Sequence, residues 1–222
     1  MGAGVKRRGL TPDFYRNKLI DRLREKGIVE ERVLEAMGRV PRHAFVDAAW
    51  DLSKSYEDTA LPIGRAQTIS QPFVVALMSQ ALMEGREPRH VLEVGTGCGY
   101  QTAILAELVD RVYSLERIRS LHLSAQQRLQ GLNYMRVYLQ HGDGYEGWEQ
   151  QAPFDGIIVT AAAAQVPAAL LMQLAPGGRL IIPVGDGDGQ QLCRITVKAD
   201  GGVSREVLAG VSFVPMLPEK TD

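Results

Sequence analysis

The chain has 222 residues, 45% hydrophobic and 23% charged, with a formal net charge of −1 from 25 basic and 26 acidic side chains. That is enough chain to bury a large core as one domain, and the near-neutral balance excludes a broad electrostatic grip on nucleic acid or anionic membrane. No stretch approaches the roughly 20 apolar residues that span a bilayer, no secretory leader is visible, and the basic cluster Lys6-Arg7-Arg8 reads as a solvated arm.

In chain order, Thr11-Pro12 predicts a helix start, a capping hydroxyl followed by a proline whose missing N–H costs little there. Tyr15, Leu19 and Leu23 follow at helical spacing, and Gly27 is the expected stop. A second short helix is predicted from Glu30 to Met37, ended by Pro41. Residues 53–72 carry neither period and read as a long loop, a feature that in compact domains is commonly functional. Phe73 to Leu82 reads as a helix. From His90 onward strands and helices alternate: strands at Val91–Val94, Val112–Glu116, Met135–Leu139, Gly156–Thr160 and Arg179–Val184, with helices at Tyr100–Leu108, Ile118–Leu129 and Val166–Leu174 between them. Pro176-Gly177-Gly178 is read as the stop of the last of these helices. Gln190–Lys198 and Glu206–Val214 alternate like paired strands around Asp200-Gly201-Gly202. The sum is α/β: a doubly wound sheet in one domain, with helical N-terminal additions over residues 1–82 and the alternating core over 90–222. Cys98 and Cys193 form no CxxC pair and, with four scattered histidines, argue against a metal site, so no metal is expected. A reducing cytoplasm is the expected compartment.

The most informative segment is Val91-Leu92-Glu93-Val94-Gly95-Thr96-Gly97-Cys98-Gly99-Tyr100, a strand running through Gly-x-Gly-x-Gly into a helix. Glycines at these positions let the backbone turn tightly and bring helix N–H groups close to a ligand. A nicotinamide site would place its last glycine where this chain has Tyr100. The spacing instead resembles that of S-adenosylmethionine methyltransferases. Glu116 ends the next strand, where a carboxylate can accept from two ribose hydroxyls, and Asp143 sits in Gly142-Asp143-Gly144 after the third, where it can accept from the adenine amino group. Alone, Glu116 would be read as a charge at a helix N-terminus and Asp143 as a turn former; their register with the glycine loop favours cofactor contact. Asp155 stays a turn former, and Cys98 a small buried residue.

Two further stretches carry a narrower resemblance. Ala60-Leu61-Pro62-Ile63-Gly64 with Gln67-Thr68-Ile69-Ser70-Gln71-Pro72, and upstream Val40-Pro41-Arg42-His43-Ala44-Phe45-Val46, are similar to the protein L-isoaspartate (D-aspartate) O-methyltransferases of bacterial type. With the glycine loop, the 142–144 turn, the Ile157–Ala162 strand end and Pro176–Gly185, the match spans nearly the whole chain. The resemblance implies a Rossmann-like class I methyltransferase sheet with C-terminal antiparallel strands, the last of them ordered differently from the usual methyltransferase sheet. It implies methyl transfer from S-adenosyl-L-methionine to isoaspartyl carboxylates of damaged peptides and proteins, whose esters close to a succinimide without further help. Ser70 is implied in the catalytic site. Together these readings place Thr68, Ile69, Ser70, Gln71, Glu93, Gly95, Thr96, Gly97, Gly99, Tyr100, Glu116, Asp143, Gly144 and Thr160 at the cofactor. They place Pro62, Ile63, Ser70 and Val214 at the substrate.

Ser70 lacks the elbow of a hydrolase nucleophile, which leaves two roles open: a group that orients the acceptor carboxylate, or the N-cap of the following helix. Gln71 has the same ambiguity between cofactor and loop. Competing readings are an RNA or small-molecule methyltransferase, a nicotinamide oxidoreductase, and a binding protein on the same fold. Charge opposes RNA, Tyr100 opposes nicotinamide, and the intact glycines with Glu116, Asp143 and Ser70 oppose loss of catalysis. A monomer with no nucleic-acid or membrane partner is expected.

Overall fold

The structure is a computed structural model that describes residues 11–187, 189–198 and 200–222; the Lys6–Arg8 arm lies outside the described residues. Helix α1 spans Pro12–Glu25, with Phe14 N–H donating to the Thr11 hydroxyl at 3.3 Å. It ends at Gly27, φ +96°, with Gly27 N–H on Arg24 O and Ile28 N–H on Leu23 O, the paired bonds that close a helix through a left-handed residue. Helix α2 (Glu31–Arg39) and the four-residue α3 (Leu52–Ser55) follow.

The expected loop 53–72 contains a hairpin instead. Strand β1 (Leu61–Gly64) pairs antiparallel with β2 (Gln67–Ile69) around Arg65 and Ala66, both at φ +55°. Two-residue hairpin turns of this hand normally advertise themselves with Asn or Gly, and neither residue here does. Helix α4 is Pro72–Met83.

Seven strands form the main sheet: β3 (His90–Val94), β4 (Arg111–Glu116), β5 (Val137–His141), β6 (Phe154–Val159), β7 (Leu174–Val184), β8 (Gln191–Val197) and β9 (Val203–Gly210), in the order β5-β4-β3-β6-β7-β8-β9. The first five are mutually parallel; β8 and β9 are antiparallel additions lying in chain order. Helices α5 (Tyr100–Leu108), α6 (Arg119–Gly131) and α7 (Ala168–Met172) make the crossovers. Both sheet faces are covered, so the strands are apolar at successive positions: Val91 and Ile158 join the core shared with α1, α2, α4 and α5, while Leu92, Ile157 and Val159 join the core of the other face. Asp155 accepts from the N–H of Arg89 and of His90, at 2.8 and 3.0 Å, and so pins the start of β3.

Several expected boundaries move. Helix α7 is shorter than Val166–Leu174, because Leu174 already pairs with Phe154; Pro176-Gly177-Gly178 then loops out within β7, and pairing resumes at Gly156 and Arg179. Strand β5 begins two residues later than Met135, which is exposed. Strand β9 ends at Gly210 rather than Val214, since the chain turns away across the sheet edge to bridge Ala162 with Pro215. Among the described residues no helix is long and apolar enough to cross a membrane, and no group of three or more His, Cys, Asp or Glu side chains could hold a metal ion.

Candidate active site

From β3 the chain moves outward through β4 to β5, then returns to β6 on the other side of β3. Crossover loops diverge at such a switch point and leave a crevice beyond the strands' carboxyl ends. A cleft of about 880 Å³, its mouth included, lies there. Its floor is the loop after β3. Gly95, Gly97 and Gly99 all have positive φ, +98°, +54° and +91°. A Cβ on Gly95 would overlap the Thr160 hydroxyl, which donates to Gly95 O at 2.6 Å and to Val94 O at 3.1 Å and locks the loop to the end of β6. At the 142–144 turn, a Cβ on Gly144 would overlap Val94.

Glu116 stands at the end of β4, 5% exposed, with Oε2 accepting Gly97 N–H at 2.8 Å and Oε1 accepting Ile118 N–H at 2.9 Å. Burial pushes its pKa up, opposed by those backbone donors. Each oxygen keeps a lone pair for a further donor in the cleft.

A second, more open cleft, about 1540 Å³ with the open solvent at its mouth included, lies between α4 and the segment after β9. Thr68, Ser70, Thr160 and Val214 line both clefts and form the passage between them. The Ser70 hydroxyl has no hydrogen-bond partner among the described residues, and it is not the cap of α4: Phe73 N–H donates to Asp58 Oδ1 instead, at 2.8 Å. Gln190 holds the far wall, accepting Phe213 N–H at 2.6 Å and donating to Phe213 O at 3.0 Å.

Of the residues expected at the cofactor, Thr68, Ile69, Ser70, Gly95, Thr96, Gly97, Tyr100, Glu116, Gly144 and Thr160 line the first cleft, together with Ile63 and Val214. Four do not. Glu93 is fully buried behind the loop, its Oε2 accepting the hydroxyls of Thr102 and Ser114 at 2.5 Å each. Gly99 faces Leu129 and Ala125 of α6. The Asp143 carboxylate is taken by the N–H of Tyr145 at 2.8 Å and of Glu219 at 2.6 Å, fastening the C-terminal segment. Gln71 Nε2 donates to Asp58 O and Oδ2, so its amide serves the loop. Pro62, expected at the substrate, borders neither cleft but a third recess beside Trp50 and Arg128. Cys98 is buried, with its thiol pKa raised by that burial. Sequence reasoning missed Gln101 and Arg117 in the first cleft and Asp58 and Gln190 in the second. A single polar residue within a helix or loop carries no signal of its own.

Burial pushes the Glu93 carboxyl up to about 8 from an ordinary 4.5, against the pull of the two hydroxyls. Between those values the folded protein holds a proton there that the unfolded chain has lost. The contribution to stability is therefore full below about 4.5, shrinks as pH rises, and is gone by about 8. Glu93→Gln, neutral throughout, should flatten the decline in unfolding free energy between pH 5 and 8; equal slopes for wild type and variant in urea titrations would contradict this assignment.

This geometry has counterparts among known proteins. The family model of protein-L-isoaspartate(D-aspartate) O-methyltransferase matches residues 15–221. A protein-L-isoaspartate O-methyltransferase of Halorhodospira halophila is 56% identical over 209 residues, 94% of each chain. One from Pseudomonas aeruginosa PAO1 is 55% identical over 208 residues, covering 94% of this chain and 98% of its own. Among solved structures, a Plasmodium falciparum protein assigned as a protein-L-isoaspartate O-methyltransferase, in complex with S-adenosyl-L-homocysteine, superposes with a TM-score of 0.79 at 28% identity, covering 91% of this chain and 98% of that one. Fold, cleft and sequence agree: the chain belongs to the protein-L-isoaspartate(D-aspartate) O-methyltransferase family.

Proposed function

We propose that this protein transfers the methyl group of S-adenosylmethionine to the free carboxylate of L-isoaspartyl residues in damaged peptides and proteins, the step that opens their repair. The observation that carries this reading is the pair of clefts meeting at Thr68, Ser70, Thr160 and Val214. The first suits the cofactor. Gly97 leaves room that a side chain would fill, Gly95 and Gly144 pack too closely on Thr160 and Val94 to admit a Cβ, and Glu116 has lone pairs available for the ribose hydroxyls. Gly97 and Thr96 would hold the amino-acid portion, and Gly144 with the apolar Leu115, Ile118 and Leu217 would receive the adenine. Glu93, Gly99, Asp143 and Gln71 act one layer back, shaping the loop and fastening the segments that line the cleft.

When bound, S-adenosylmethionine would supply a methyl group activated by its sulfonium: a carboxylate oxygen would bond to that carbon as the C–S bond breaks, and S-adenosylhomocysteine would leave as a neutral thioether. In an isoaspartyl residue the chain runs through the β-carboxyl and the free group is an α-carboxyl, with a pKa of about 3.3–3.7; it is already ionised at neutral pH, so no strong general base is required. The second cleft fits this economy. Among the described residues its lining has no Lys, Arg or His, and its one charged side chain, Asp58, is paired with Lys26 Nζ at 2.5 Å. Hydroxyls at Ser70 and Thr68 orient a carboxylate without the clamp of an arginine, which would hold its charge and blunt it as a nucleophile; the Thr160 hydroxyl is spent on Val94 O and Gly95 O. Positioning is then the main device, and orientation of reactants is worth roughly 7–11 kcal/mol in favourable intramolecular cases.

The reading is of a monomeric, cytoplasmic enzyme working as one domain, without nucleic-acid or membrane partners; its support is the net charge of −1 and the cores shared between the N-terminal helices and the sheet. To test the activity, purified protein is incubated with radiolabelled S-adenosylmethionine and two peptides that differ only in isoaspartyl against aspartyl at one position. Base-labile label on the isoaspartyl peptide alone is expected. Intact cofactor binding with no transfer to either peptide would overturn the acceptor and turn attention to small carboxylates.

A further inference from the structure

Helix α4 begins with a donor that its own sequence could satisfy but does not. Pro72 has no N–H, and the N–H groups of Val74 and Val75 donate to Gln71 O. Phe73 N–H is left for a side chain. Ser70, one residue before the N-cap Gln71, stands three residues ahead of Phe73, the i to i+3 spacing over which a capping hydroxyl reaches a helix N–H. The structure gives that N–H to Asp58, fifteen residues upstream. Asp58 Oδ1 accepts it at 2.8 Å, while Oδ2 accepts from Gln71 Nε2 at 3.2 Å and from Lys26 Nζ at 2.5 Å. The Asp58 side chain is 4% exposed, and the Ser70 hydroxyl has no partner among the described residues.

We propose that Asp58 is a positioning residue: it caps α4 in place of Ser70 and thereby leaves the Ser70 hydroxyl free at the passage between the two clefts. The inference rests on the reading of Ser70 given above. A capping serine must turn its oxygen over the helix end to accept, which points it away from a substrate. A carboxylate wins the competition because hydrogen bonds to an ionised acceptor are roughly twice as strong as neutral ones, and because a negative charge is favoured at a helix N-terminus. The cost would be an anion beside the cleft that must admit another anion. Lys26, at the C-cap of α1, offsets it; its Nζ also sits 5.4 Å from the centre of the Phe73 ring. Gln71, tied to both the carboxylate and the backbone carbonyl of Asp58, fixes the residue next to Ser70.

The test is a double-mutant cycle of Asp58→Ala and Ser70→Ala, read by turnover on an isoaspartyl peptide, by S-adenosylhomocysteine affinity and by hydrogen exchange at the Phe73 amide. Asp58→Ala should lower kcat by about 10–100-fold, the scale of one hydrogen bond to a charged group. In the Ser70→Ala background the same change should cost less than about threefold, because two substitutions acting through one group are not additive. The Phe73 amide should stay protected in either single variant, where one acceptor remains, and lose protection in the double variant. S-adenosylhomocysteine affinity should be unchanged throughout. Equal losses of kcat with and without Ser70, or loss of Phe73 protection in Asp58→Ala alone, would overturn the proposal. If the alanine variant fails to fold, Asp58→Asn decides: without the ionised acceptor the Ser70 hydroxyl can take the Phe73 N–H, so the substitution should lower kcat at least about threefold more with Ser70 present than in the Ser70→Ala background, and equal losses in the two backgrounds at unchanged Tm would refute the capping role. Absence of any transfer by wild type would remove the acceptor assignment instead, and the Phe73 exchange pattern would still decide which residue caps the helix.

Discussion

Gly97→Val is expected to weaken S-adenosylhomocysteine binding by at least about 100-fold, roughly 2.7 kcal/mol, while the protein still folds. Gly97 sits at φ +54° in the loop after β3, and its Cβ position opens toward the cleft, with Ile63 Cδ1 at 3.4 Å as its only close neighbour. An isopropyl group there fills ligand space rather than striking backbone. The left-handed conformation adds a cost of order 1–3 kcal/mol for a β-branched residue, and any shift that relieves it moves the Gly97 N–H away from Glu116 Oε2, now at 2.8 Å. Binding therefore suffers twice, through lost volume and through a displaced carboxylate. Gly95 would be a poorer probe, because a side chain there strikes the Thr160 hydroxyl that holds the loop to β6, and stability and binding would fall together. Calorimetric titration beside a thermal melt separates the two effects. An affinity within threefold of wild type would mean that this loop does not hold the cofactor.

Ser70→Ala should act on the other quantity. It is expected to lower kcat by about 10–100-fold, the scale of one hydrogen bond to a charged group, and to leave S-adenosylhomocysteine affinity within about threefold. The Ser70 hydroxyl makes no bond within the protein, since Asp58 takes the helix N–H that Ser70 could have accepted. Removing it strands no buried partner, and a change of this kind stays within about 0.5 kcal/mol in stability. Loss of kcat without loss of cofactor affinity marks an interaction made in the transition state. Turnover unchanged by the substitution would show that the hydroxyl plays no part in orienting the acceptor. The two variants thus probe opposite sides of the passage, one emptying the cofactor cleft and the other leaving it filled but badly aimed.

Much of this was legible in short windows of sequence. Thr11, Pro12 and Gly27 marked the ends of α1, because capping and left-handed closure are local stereochemistry. The nearly all-apolar run at 156–159 marks a strand covered on both faces, and the glycines at 95, 97 and 99 stand where positive φ is needed. The β1–β2 hairpin stayed hidden because Arg65 and Ala66 take up left-handed geometry without the residues that usually signal it. The first residues of β7 were hidden because Pro176-Gly177-Gly178 looks like the end of a helix, whereas Leu174, ahead of it, already pairs with Phe154.

What the sequence by itself determined was therefore the α/β order of elements, the glycine loop, the acid at the end of β4 and the membership of a motif around Ser70. Only the tertiary structure decided which polar groups face ligand space and which are spent on one another. Glu93 lies on the strand that feeds the glycine loop yet is sealed behind it by Thr102 and Ser114. Asp143 is claimed by Glu219, and the cap of α4 by Asp58 rather than by the adjacent serine. The reason is physical: helix ends, turns and strand faces depend on a few neighbouring residues, whereas a buried donor or acceptor takes whichever partner the closed chain brings within reach, and those partners here lie 9 to 76 residues away.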